Sequence, residues 1–149
     1  MNDNTTIDTG NTPDSGVQTA SIVLNPSEEN ALSRVLEFVE ESLNGADVPM
    51  KVVFKMNIAV DEIFSNIVYY SGATSARIAC SISTEGVELT FADNGKPYNP
   101  LEAEEPDTAL SAEDREIGGL GIFMVRKSMD RVDYEFQDGL NVLTLYKGI

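Results

Sequence analysis

Apolar positions recur along this chain in two rhythms, one of period two and one near 3.6. Val17–Leu24 alternates and predicts a first strand. Leu32, Val35, Leu36, Val39 and Leu43 then keep helical spacing. Asn25 and Pro26 suit the N-cap and first position of that helix, and Asn44-Gly45 suits its end. A second helix is predicted over residues 50–70, closing at Ser71-Gly72. Its apolar stripe is Val52, Val53, Met56, Ala59, Val60, Ile63, Phe64 and Ile67, wide enough to face a core. Two strands follow, roughly residues 75–83 and 87–92, joined by the turn Thr84-Glu85-Gly86. After a patternless stretch, a glycine-led helix runs over about residues 118–129. Arg131–Gln137 and residues 140–146 form a closing hairpin around Asp138-Gly139.

Strand, two helices, hairpin, helix and hairpin imply an α/β fold of two layers. Helices cover one face of a mixed, mostly antiparallel sheet, and a doubly wound parallel sheet does not fit. Residues 1–16 are rich in Asn, Asp, Thr, Gly and Pro and are expected to form a disordered tail, with one domain over residues 17–149.

Charge narrows the function. The chain of 149 residues carries 25 acidic and 10 basic side chains, a formal charge of -15. That field disfavours nucleic acid and anionic lipid as partners. There is no histidine, so acid–base chemistry falls to carboxylates, lysine or tyrosine. The single cysteine, Cys80, sits in a predicted strand and is expected to be a small buried hydrophobe. One cysteine forms no intramolecular disulfide, and no apolar run reaches membrane-spanning length; both suggest a cytoplasmic protein.

Three segments carry candidate chemistry. On the second helix, Lys55, Glu62, Asn66 and Tyr69 share one polar arc opposite the stripe, with Glu62 and Asn66 one turn apart. A carboxylate and an amide oxygen converging there suit a hard cation such as Mg²⁺ or a water beside it, although a solvated i, i+4 pair has the same spacing. Asp93-Asn94-Gly95-Lys96-Pro97 follows an apolar strand directly. It reads either as an ordinary turn or as an Asp placed to accept from an exocyclic amine. Gly118-Gly119-Leu120-Gly121 opens the last helix, where glycine costs roughly 1 kcal/mol against alanine. Free N–H groups and the dipole there favour an anion. The run lacks the Gly-Lys-Ser/Thr ending of a Walker loop, and it does not follow a strand as a dinucleotide fingerprint would.

In this order, the three segments resemble the GHKL ATPases. Residues 59–66 look like their N-box, residues 91–100 like the first glycine box, and residues 118–125, continuing to 132, like the second. The resemblance spans about residues 17–147. The wording around Asp93 and the Gly-Gly-Leu-Gly-Ile-Phe-Met-Val-Arg run are most similar to the anti-sigma-factor serine/threonine kinases within that group. It implies ATP and Mg²⁺ as cofactors. Asn66 would hold the metal and Glu62 would be the catalytic general base. Asp93 would read the adenine amine and Gly95 would let the base settle. Gly119, Leu120 and Gly121 would meet the phosphates, and residues 96–117 would form an ATP lid. The implied partners are a sigma factor and an anti-sigma-factor antagonist that receives phosphate, with a homodimer a further family trait. The alternative is a nucleotide-gated binding module with little or no turnover.

Two departures stand out. Tyr69-Tyr70 occupies the place where family members often carry a basic residue or histidine. Residues 93–117 hold eight carboxylates against Lys96 and Arg115. Lys55 and Arg115 are the local basic candidates for phosphate. A histidine kinase is disfavoured by the absence of histidine, and a topoisomerase by length and charge.

Overall fold

The computed structural model describes residues 5–12, 16–102 and 119–149. Six strands form one sheet: β1 (Thr6–Thr12), β2 (Val17–Leu24), β3 (Ala76–Ile82), β4 (Gly86–Asp93), β5 (Arg131–Gln137) and β6 (Leu140–Gly148). Their spatial order is β1-β2-β3-β4-β6-β5. The helical layer is α1 (Ala31–Gly45), α2 (Met50–Asn66) and α3 (Gly119–Ser128). The two-layer α/β architecture is as predicted.

Among the described residues the expected mostly antiparallel sheet is antiparallel at every pairing, with no parallel pair. The reason is the parity of the crossovers. Two helices joined by a short loop run out and back, so β3 enters at the end where β2 left. A single helix, α3, carries the chain to the opposite end. β5 therefore rises and β6 descends into the space between β4 and β5.

Alternation sets which side chains meet the helices. Ile78, Cys80, Leu89, Phe91, Leu143 and Leu145 point inward and are buried. Against them pack Val35, Phe38, Val39 and Leu43 of α1 and the whole predicted stripe of α2. Phe64 and Phe91 are buried completely, each worth about 2–3 kcal/mol of transfer free energy. Cys80 is one of these inward residues, and burial pushes its thiol up to about 12.

Two boundaries differ from the sequence pattern. α1 starts at Ala31, not at Pro26, because Asn25 closes a separate turn. Its Oδ1 accepts the Ser27 N–H at 2.9 Å, and Asn30 then passes through the left-handed region at φ 67°. The expected disordered tail does not hold over Thr6–Thr12, which pairs with β2 from Thr6↔Val23 to Thr12↔Val17. A backbone ladder supplies this strand's hydrogen bonds, and its β-branched Thr and Ile suit an edge without an apolar run.

α2 does not stop at Asn66. One π-helical turn, Ile67–Ser71, extends it, and Gly72 ends it in the left-handed conformation at φ 70°. A 3₁₀ turn, Pro100–Glu102, follows β4.

Candidate functional site

The topology gathers one end of each element. The end of α2, the end of β4, the start of β6 and the start of α3 meet around a cavity of about 350 Å³. Its walls are apolar, from Ile63, Ile67, Phe91, Ile122 and Leu143. Asn66, Tyr70, Asp93, Tyr98, Tyr134 and Asn141 add polar groups. A mostly apolar slot with a few placed polar groups is the usual form of a small-molecule site.

Asp93 occupies the last inward position of β4 and is buried to 5 % exposure. Its Oδ1 accepts the Gly95 N–H at 2.9 Å and the Asn141 side-chain amide at 3.2 Å. Burial pushes this carboxyl above the usual aspartate range, and the two hydrogen bonds pull it back only in part. The opposite strand supplies Asn141 because the register sets Asp93 against it. The Asn141 Nδ2 also donates to the Lys96 carbonyl at 2.9 Å, while its Oδ1 accepts the Tyr98 N–H at 3.0 Å and the Tyr134 hydroxyl at 2.5 Å.

Glu62 and Asn66 stand as the helical arc predicts. The Asn66 Nδ2 donates to Glu62 Oε1 at 3.5 Å, leaving the amide oxygen for another ligand. Burial raises the Glu62 carboxyl, the Asn66 bond lowers it, and the neighbouring Asp61 charge raises it further. The carboxylate lies against α3, where it fills the place a Cβ on Gly121 would take. Glycine there is thus a packing requirement between α2 and α3. The backbone of Gly119 and Leu120 forms the first turn of the same helix.

Gly95 packs closely against the end of α2. A Cβ on it would sit 2.5 Å from the Ser71 carbonyl, so its close approach is to the π turn. Ser71 also accepts the Lys96 N–H at 3.0 Å, which ties the strand end to the helix end.

Some predicted residues lie apart. Tyr69 is exposed, whereas Tyr70 lines the cavity. Lys55 lies earlier on α2, where its charge acts on Asp130. Seven residues, or about 10 Å, separate Lys55 from Glu62. The Asp130 carboxyl, past the far end of α3, is lowered first by the Gly148 N–H, with Lys147 and Lys55 adding their charges. Arg115, Gly118 and residues 103–117 of the expected lid lie outside the described residues.

Asn141, Tyr134 and Ser71 escaped the sequence reading. The one available signal was Asn141 itself, a polar side chain at the inward parity of a strand that continues with Leu143 and Leu145.

The donor set fits a nucleotide and its metal. Asp93 offers an acceptor inside an apolar slot, and Asn66 offers an amide oxygen beside the amino end of α3. Among the described residues, three or more His, Cys, Asp or Glu side chains never cluster as a protein-only metal cage.

Residues 25–147 match the family model described as the histidine kinase-like ATPase domain. Serine/threonine-protein kinase BtrW of Bordetella bronchiseptica is 33 % identical over 96 residues, which cover 62 % of this chain and 68 % of that protein.

Proposed function

Since the chain belongs to the histidine kinase-like ATPase domain family, we propose that it is a serine/threonine protein kinase of the anti-sigma type. It binds Mg-ATP and passes the γ-phosphoryl group to a Ser or Thr of a small antagonist protein, and it holds a sigma factor in its other state. The similarity to a protein named a serine/threonine kinase supports the transfer reaction. The observation that carries the reading is the position of Glu62, with Asn66 on one side and the amino end of α3 on the other.

Each residue then has a task. The cavity takes the purine, and Asp93 accepts from its exocyclic amine. Asn66 would hold Mg²⁺, which neutralises phosphate charge when bound. The N–H groups opening α3 receive the phosphates. Glu62, raised by burial, takes the proton of the attacking hydroxyl as it bonds to phosphorus and ADP leaves.

Labelled Mg-ATP added with the purified protein to a lysate of its own cells is expected to mark one small polypeptide. Glu62→Gln should bind ATP as before and lower that labelling by roughly 10²–10⁴-fold, the usual worth of a general base. Retained ATP binding with no labelled polypeptide favours the nucleotide-gated binding module.

A further inference from the structure

Building on the nucleotide reading, we propose that Asn141 is a positioning residue that joins recognition of the base to the root of the segment after β4, with the Tyr134 hydroxyl holding it in place. Its side chain is used to capacity. The amide group donates to Asp93 Oδ1 at 3.2 Å, to the Lys96 carbonyl at 2.9 Å and, at 3.4 Å, to the Gly95 carbonyl. The oxygen takes Tyr98 N–H and Tyr134 O–H, which fills both lone pairs. A residue needed only to continue β6 has no use for these bonds, since the ladder with β4 is made by the backbone.

Two consequences follow from that wiring. Asp93 Oδ1 is saturated by Gly95 and Asn141, and Oδ2 receives no hydrogen bond among the described residues. The free oxygen is the one left for an exocyclic amine, and Asn141 fixes which one it is. Three further bonds from the same side chain hold Gly95, Lys96 and Tyr98, the first residues after the strand. Base recognition and loop root therefore share one anchor, and loosening it disturbs both.

The test compares affinities for ATP and inosine triphosphate, in which a carbonyl replaces the exocyclic amine, together with amide hydrogen exchange. The unaltered protein should prefer ATP. Asn141→Ala should weaken ATP by roughly tenfold or more and bring the two nucleotides close to parity, since several buried partners lose their bonds. Tyr134→Phe, which removes one hydroxyl, should fall between. Exchange at the Tyr98 amide should quicken in Asn141→Ala, while the Lys96 amide, bonded to Ser71, stays slow. A general loss of structure would quicken both. If Asn141→Ala does not fold, Tyr134→Phe decides. ATP affinity and preference within about twofold of the unaltered protein, in a folded variant, overturn the inference alone. Failure of the unaltered protein to bind ATP overturns the nucleotide reading and the inference with it.

Discussion

Two carboxylates at this site are pushed upward by the same cause, loss of water, and the proposed reaction uses them in opposite ways. In that proposal Asp93 remains an acceptor for the base, whereas Glu62 accepts a proton during transfer. Their signs with pH are separable. A carboxyl raised in the folded state stabilises the fold most when protonated, and that contribution is lost as pH rises through its folded value. Acidification from neutrality toward the ordinary carboxylate range should therefore increase these groups' contribution to stability. Over the same interval ATP affinity should drop by roughly fivefold, as Asp93 exchanges a charge-assisted bond for a neutral one. Calorimetric titration and thermal melts across that range check both signs. A common fall of affinity and melting temperature would point to unfolding instead. At this scale the sequence displayed Glu62, Asn66 and Asp93 because their spacing is local. Asn141 stayed hidden because its partner lies 48 residues away and is chosen by strand register.

Elements meet at their glycines. Gly121 lets α3 lie against the Glu62 carboxylate of α2. In an isolated helix, Gly→Ala adds about 1 kcal/mol of stability. Gly121→Ala should show none of that gain, because the new methyl must displace the carboxylate or the helix. Phosphate transfer should fall by roughly tenfold or more through the misplaced base, given the steep cost of misorientation. Thermal melts and the labelling assay measure both, and a more stable, fully active variant would refute the contact. The glycine run was conspicuous from helix propensity alone, yet propensity offered no hint that a side chain of α2 fills the space beside it. α2 was legible along its whole stripe because one period describes it. The start of α1 was not, since a capped turn and a capped helix share the same residues.

For the whole molecule, the charge of -15 and the all-antiparallel sheet act together. An acidic surface keeps copies apart, while an open sheet edge invites pairing. β1 covers the edge of β2 with a short strand of Thr, Ile, Asp and Gly. Removing residues 1–12 should lower the melting temperature and make light scattering rise with protein concentration; a variant that melts unchanged and stays monodisperse would show β1 to be dispensable. The layers were readable from element order. The edge strand was not, because composition measures what a segment can bury and β1 buries little. The converging ends of β4, β6, α2 and α3 could be inferred only once three separate motifs were assumed to serve one ligand.

The π turn at Ile67–Ser71 makes the site depend on a count of residues as well as on their identity. An α-helix advances about 100° per residue, so phase is fixed by how many residues precede a given one. Removing one of residues 67–70 would close the wide turn to an ordinary one. The contacts of Ser71 with the Lys96 N–H and with the flank of Gly95 would then have to be remade. Substitutions on that turn leave the phase intact, whereas a one-codon deletion uncouples helix from strand at the place where they jointly hold the pocket.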